Sequence, residues 1–118
     1  GQCCAKCLNK MSKNRLDQLK IMLEEEPNDP FLIYAIGTEL LSSDASQARV
    51  YFEKLLTEYP DYAGTYYHVA QLYADLGERE KCIASYEKGL QVLLAQKNTK
   101  LYNELQRAYR NFLDEEED

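Results

Sequence analysis

Apolar residues recur along the chain at spacings of three and four, which is the period of an amphipathic helix. Six such stripes follow one another, and turn-forming residues separate the first five: "EEEPNDP", "SSD", Pro60 and Gly77. Asn98 and Thr99, two residue types that commonly cap helices, precede the sixth stripe, and either could be its cap. The pattern predicts an all-α fold of about six helices, each of about 12–17 residues. Short connections make neighbouring helices antiparallel.

The chain also repeats itself with a period of about 34 residues, as the segment 30–62 aligns with the segment 63–96. Small residues share equivalent places in the two segments, where they let helices approach closely, and large residues fill the gaps between them. This alternation is typical of stacked helix pairs. The positions predicted to pack the repeats are Ile33, Ile36, Gly37, Leu40, Ala48 and Phe52 in the first segment, and Tyr66, Val69, Ala70, Tyr73, Cys82, Tyr86 and Gly89 in the second.

This pattern resembles the tetratricopeptide repeat family. The family's first helix carries a large residue, then Leu-Gly, then Tyr, and its second helix carries Ala, an aromatic residue and Ala before a closing proline. The matching residues of the second segment are Tyr66, Val69-Ala70, Tyr73, Cys82, Tyr86 and Gly89. The first segment matches more loosely, since Leu55 replaces a small residue. The resemblance implies a right-handed superhelical stack of antiparallel helix pairs, an α-solenoid.

The same frame predicts how the chain is divided. We expect a disordered leader over 1–12 and a single domain over 13–118. The domain would consist of a half repeat (13–27), two repeats (30–62 and 63–96), a capping helix (98–114) and an acidic tail (115–118). The capping helix would cover the open end of the stack. Fraying is expected in the tail, because negative charge is unfavourable at a helix C-terminus.

In this family, the first helices of successive repeats line a concave groove that receives extended peptides. The resemblance places six residues on that surface: Tyr34, Thr38, Leu41, Tyr67, Gln71 and Ala74. One subset of the family grips a peptide's terminal carboxylate with lysine and asparagine at these positions, and this chain lacks both there. We therefore expect recognition by apolar and hydrogen-bonding contacts rather than by charge capture. Packing within the chain is the alternative role for the two tyrosines.

Charge and composition narrow the range of partners. The net charge of −6 disfavours nucleic acid, which proteins bind by neutralising phosphates. No apolar run approaches the roughly 20 residues of a membrane span. The four cysteines do not form a spaced disulfide framework, which favours a reducing, cytoplasmic compartment. The expected partner is another protein, without nucleic acid or membrane.

Catalytic constellations are missing from the sequence. The single histidine, His68, lies beside Tyr67 on a helix predicted to be regular, and no phosphate-binding glycine pattern occurs. Cys4 and Cys7 form a C-x-x-C, but with Cys3 they supply only three of the four ligands that zinc requires. Redox dithiols of this type follow a strand, and none is predicted. We expect no enzyme activity, no cofactor and no metal.

Two further interpretations of the first residues stay open. Gly1 could be acylated after removal of a methionine, but Lys6 occupies the place where that motif has serine or threonine. Met11 could be a native start, in which case residues 1–10 would derive from the expression vector.

The sequence thus predicts a non-catalytic module that binds a peptide segment of a partner protein in a concave helical groove. A structural homodimer is the alternative, because two full repeats are fewer than the three or more that usually stand alone. A metal or redox protein built on Cys3, Cys4 and Cys7 is a third, weaker hypothesis.

Overall fold

The computed structural model describes residues 15–117, with side chains as far as 115, and contains no strand within that range. Its helices are α1 (Arg15–Glu25), α2 (Pro30–Leu40), α3 (Ala45–Glu58), α4 (Gly64–Asp75), α5 (Arg79–Ala95) and α6 (Thr99–Glu117). The prediction of an all-α chain with about six helices is confirmed. The predicted leader, 1–12, and the cysteine cluster lie outside the described residues.

Side-chain caps explain where three of the helices begin. The Asp29 carboxylate accepts a hydrogen bond from the Phe31 N–H at 2.9 Å, and Pro30 occupies the first helical turn of α2. Asp44 and Asn98 act in the same way before α3 and α6, where they accept from backbone N–H groups at 3.2 Å. Each cap satisfies an amide that the helix itself leaves without a partner. Of the two predicted caps of the sixth helix, Asn98 is the one that accepts the bond.

Two helices end in the same left-handed turn. After α4, Gly77 has a φ of 78°, and the N–H of Glu78 donates to the Tyr73 carbonyl at 2.8 Å. After α5, Lys97 has a φ of 59°, and the N–H of Asn98 donates to the Leu93 carbonyl at 3.0 Å. Both are Schellman motifs, which usually place glycine at the left-handed position. Lysine at 97 therefore carries a conformational cost that glycine would not.

We expect Lys97→Gly to stabilise the fold by about 1 kcal/mol, since a left-handed conformation costs an L-residue about 1–2 kcal/mol and glycine's greater unfolded-state entropy offsets part of the gain. Urea unfolding of the variant beside the wild type measures this difference. Gly77→Ala is the reverse control. A Cβ at Gly77 would have nothing within 4 Å, so the expected loss reports the backbone conformation alone. A destabilised Lys97→Gly variant would contradict the assignment.

The chain divides into two compact units, one reaching as far as Tyr51 and the other beginning at Phe52, so that the boundary falls within α3. In the first unit α1 packs against α2. Arg15 Nε lies 3.1 Å from Glu39 Oε1, but both side chains are exposed, and such a pair contributes little stability. The unit is held mainly by buried apolar side chains, namely Leu19, Leu32, Ile33, Ala35, Ile36, Leu40 and Ala48.

In the second unit α4 packs against α5, and α5 packs against α6. Tyrosine hydroxyls form specific hydrogen bonds within this unit. Tyr73 donates to the Glu53 carboxylate at 2.6 Å, and Tyr66 donates to the Pro60 carbonyl at 2.6 Å. Burial, with a smaller contribution from Asp61, raises the pKa of Tyr66 above its usual value, so this hydroxyl stays a donor. These bonds satisfy polar groups that would otherwise weaken a largely apolar interior.

All thirteen positions predicted to pack the repeats are buried. Ala48, Ala70 and Cys82, three of the small ones, have no exposed surface. Space is tightest at Gly89 of α5. A Cβ built there would lie 2.5 Å from Tyr66 Cβ of α4 and 2.7 Å from Leu105 Cδ2 of α6. Only a glycine fits where α5 passes between these two helices.

The last helix differs from its predicted extent. A capping helix was predicted over 98–114, followed by a frayed acidic tail over 115–118, whereas α6 continues to Glu117. The Phe112 ring lies 6.2 Å from the ring of Tyr86, so aromatic packing holds the helix near its end. Glutamate is also a good helix former, and this propensity opposes the unfavourable charge at the C-terminus.

Candidate functional site

A cavity of about 400 Å³ opens between α4, α5 and α6 in the second unit. Three of the six residues predicted to face a ligand, Tyr67, Gln71 and Ala74, line it together. They are spaced four and three residues apart, which places them on one face of α4. The remaining lining residues are Asp75, Tyr86, Ala108, Asn111, Phe112 and Glu115. The face of α4 that the sequence singled out is thus one wall of a concave site.

Tyr67 is the most prominent aromatic group of this wall. Its side chain is 39% exposed, although it is large and aromatic. The amide Nε2 of Gln71 donates to its hydroxyl at 3.3 Å, and its ring meets the His68 ring edge to face at 5.5 Å. These two contacts restrict the rotamer of Tyr67 without covering the ring. The ring of Tyr67 is therefore both oriented by its neighbours and partly exposed.

The ring of His68, which contacts Tyr67, is itself packed against another ring. Its imidazole is half-buried and lies parallel to the Phe52 ring, with 6.0 Å between the ring centroids and 7° between the planes. Burial lowers the pKa of His68 below its ordinary value, so the ring is neutral at physiological pH. His68 is thus a neutral, half-buried residue that packs against Phe52.

Tyr86 of α5 contributes to the lining of the cavity. Its ring stacks on the ring of Tyr109 at 5.1 Å and contacts Phe112. Burial, followed by the charges of Cys82, Tyr67 and Glu115, raises the pKa of Tyr86 to about 12. The phenol therefore remains neutral and able to donate a hydrogen bond across the physiological range. Tyr86 was predicted only as a packing residue, and it serves the cavity as well.

The wall contributed by α6 was not foreseen. Ala108, Asn111, Phe112 and Glu115 recur at three- and four-residue spacings, which places them on one face of the helix. The alignment of repeats could not identify them, because α6 lacks the repeat pattern. The available signal was the apolar stripe itself, in which Leu105 is buried but Phe112 only partly so. The half-buried side chain of Phe112 therefore leaves part of this stripe on the wall of the cavity.

The other predicted ligand-facing residues lie in the first unit. Tyr34 and Thr38 belong to α2, and Leu41 follows the last residue of that helix. All three are half-buried. The Thr38 hydroxyl donates to the Ala35 carbonyl at 2.9 Å, so it is partly engaged by its own helix. Their role in binding stays a prediction.

The described part of the chain offers neither a metal site nor a membrane-spanning helix. Within residues 15–115, whose side chains are described, no group of three or more histidine, cysteine, aspartate or glutamate side chains is arranged to hold a metal ion. In the same range, no helix combines the length and apolar character that crossing a bilayer requires. The thiol of Cys82 is buried in α5. Cys3, Cys4 and Cys7 lie outside the described residues, so the hypothesis built on them stays a prediction.

Comparison with solved structures identifies close relatives. A tetratricopeptide repeat domain protein from Salinibacter ruber has an NMR structure that is 40% identical, covering 73% of this chain and 88% of that one, with a TM-score of 0.69. The match to its crystal structure is 39% identical and covers 74% of this chain and 98% of that one, with a TM-score of 0.70. A protein from Bordetella parapertussis is 18% identical, with a TM-score of 0.75 over 87% of this chain and 90% of that one, which shows a shared fold.

No family model matches the sequence, and no curated protein matches it. The family is therefore shown by the Salinibacter ruber structures. The match covers 88% of the chain in the NMR structure and 98% of the chain in the crystal structure. The helix order, the absence of strands in residues 15–117 and the buried small residues of the two repeats agree with it. The chain belongs to the tetratricopeptide repeat family and is a helical repeat module.

Proposed function

We propose that this chain is a non-catalytic interaction module that binds a peptide segment of another protein on the face formed by α4 and α6. One observation carries the proposal. An open cavity of about 400 Å³ lies against Tyr67, Gln71 and Ala74, the residues that the family resemblance puts on the ligand side. Its volume falls within the roughly 300–1,000 Å³ of ligand pockets. Membership of a helical repeat family favours a binding role over a catalytic one.

The physical basis of binding would be the rigid aromatic surface. Tyr67 is exposed, yet His68 and Gln71 restrict its motion. A restricted aromatic side chain loses little conformational entropy when a ligand covers it, and its ring offers a large area to desolvate. Its hydroxyl and the amides of Gln71 and Asn111 add directional hydrogen bonds. A short peptide bound this way is expected to have a micromolar dissociation constant, about −8 kcal/mol.

Tyr67→Ala tests the proposal. An array of immobilised random decapeptides first identifies sequences that the wild type binds. We expect the variant to bind them about tenfold more weakly, equivalent to about 1.4 kcal/mol, because it loses an exposed aromatic anchor. The melting temperature should stay close to that of the wild type, since the ring is not part of the core. Fluorescence anisotropy with the selected peptides measures the affinities.

Tyr102→Ala is the matched control, because Tyr102 is a half-buried tyrosine that does not line the cavity. It should retain peptide binding. Loss of folding in Tyr67→Ala would mean that Tyr67 belongs to the core, and a wild type that binds no peptide would refute the proposed function. Tyr34→Ala, measured separately, tests the corresponding residue of the first unit.

Self-association is the alternative that the sequence left open, and it is separated from peptide binding by sedimentation velocity. A wild type that stays monomeric at high concentration removes the homodimer. The proposed module would act in the cytoplasm, as the cysteine content suggests, and would need no cofactor.

A further inference from the structure

Two carboxylates line the cavity between α4, α5 and α6. Asp75 is the last residue of α4, Glu115 lies near the end of α6, and both are exposed. Among the described residues that line the cavity there is no lysine or arginine. Among the side chains described, residues 15–115, neither carboxylate forms an ion pair. The net charge of the whole chain is −6, so the chain as a whole carries no excess of positive charge either. The site is therefore acidic and lacks an internal counter-ion.

Aromatic rings form a second part of the lining. Tyr67 is exposed and lines the same cavity as the carboxylates, and the ring centroids of Tyr86 and Phe112 lie 6.2 Å apart. The face of an aromatic ring carries negative partial charge and attracts a cation. Gln71 and Asn111 contribute amide oxygens that accept hydrogen bonds. Rings, acceptors and carboxylates on one concave surface complement a flat cation that has several donors.

We propose that the cavity receives an arginine side chain of the bound peptide, with its guanidinium between the carboxylates of Asp75 and Glu115 and against the ring of Tyr67. This inference rests on the proposed function, since the arginine belongs to the same peptide. It specifies the partner as a basic protein segment and adds charge to a site for which apolar and hydrogen-bonding recognition was expected from the sequence.

Arginine suits this lining better than the other candidates. Its guanidinium is planar, stacks on aromatic rings and offers five donors to carboxylate and amide oxygens. A lysine ammonium is a compact and strongly hydrated charge, which can satisfy the carboxylates but gains less from the rings. An acidic segment would be repelled by both carboxylates. A purely apolar segment would cover Asp75 and Glu115 without replacing the water that solvates them.

Two decapeptide libraries test the inference. They are identical except that one fixed position holds arginine in the first and citrulline, its neutral analogue of nearly the same shape, in the second. We expect the wild type to bind the arginine library about fivefold more strongly, an advantage that falls as salt is added. The double variant Asp75→Asn, Glu115→Gln should lose the advantage, so that it binds the two libraries equally. Glu104→Gln, which removes an exposed charge of α6 outside the cavity, should keep the advantage.

The location of the arginine is tested with N-acetyl-arginine amide as the probe. Its addition to the isotope-labelled chain should shift the backbone amide signals of Tyr67, Gln71 and Asn111, whereas N-acetyl-citrulline amide should not. Equal binding of both libraries, or equal shifts with both probes, would overturn the arginine site and leave the proposed function intact. Failure of the wild type to bind either library would refute the proposed function and the inference together. Thermal unfolding of each variant establishes that it is folded.

Discussion

Gly89→Ala is expected to destabilise the fold by roughly 2–3 kcal/mol, although alanine is the better helix former. Gly89 lies within α5, where a Cβ would come 2.5 Å from Tyr66 Cβ and 2.7 Å from Leu105 Cδ2. The Leu105 methyl belongs to a flexible side chain and can move. The Cβ of Tyr66 is fixed to the α4 backbone, and relief there requires the two helices to separate. Since Tyr66 is otherwise buried, that separation also loosens the core.

Urea unfolding, with the midpoint and slope both recorded, measures the effect. Ala84→Gly is the matched control, because residue 84 is exposed on the same helix. It exchanges the same two residues in the opposite direction and should lose only about 1 kcal/mol, the difference in helix propensity. If Gly89→Ala instead gained stability, propensity would outweigh the clash, and the close approach of α4 to α5 at this residue would be wrong.

The fold could be predicted because two independent patterns agree. The three- and four-residue period marks the helices, and prolines and Gly77 mark their ends. The repeat of about 34 residues then indicates which helices pair. Helix ends were harder to place where the signal is weak. Lys97 takes the left-handed conformation that glycine usually supplies, and α6 extends past the expected capping segment. Tertiary contacts determine where such helices end, and these contacts cannot be read from the sequence.

The candidate site could be predicted only in part. Tyr67, Gln71 and Ala74 were found because they lie on a helix that follows the repeat pattern. The place of a residue in that pattern indicates which face of the helix it occupies. Asn111 and Phe112 were missed, since α6 has no counterpart in that frame. Their position depends on how α6 rotates against α5, where Tyr109 stacks on Tyr86. A rotation of this kind is decided by packing and leaves no local trace in the sequence.

The charge of the site escaped prediction for a different reason. Asp75 follows the last apolar residue of its stripe, and Glu115 belongs to the segment 115–118 for which a frayed acidic tail was predicted. Each alone is an ordinary surface carboxylate. They belong to one cavity only because α6 extends far enough for Glu115 to line it together with Asp75. Glu115 therefore belongs to α6 and to the lining of the cavity, which is why the proposed partner is basic.

Ala70→Leu is expected to destabilise the fold by about 1–3 kcal/mol, because it inserts three carbon atoms into a closely packed interior. Ala70 has no exposed surface and belongs to α4, which packs against α5. Ala84→Leu, the same exchange at an exposed residue, should be nearly neutral, since alanine and leucine differ little in helix propensity. Differential scanning calorimetry of both variants measures the difference. An unchanged melting temperature for Ala70→Leu would mean that the helices leave room at this residue, and that small side chains are not what permits them to pack so closely.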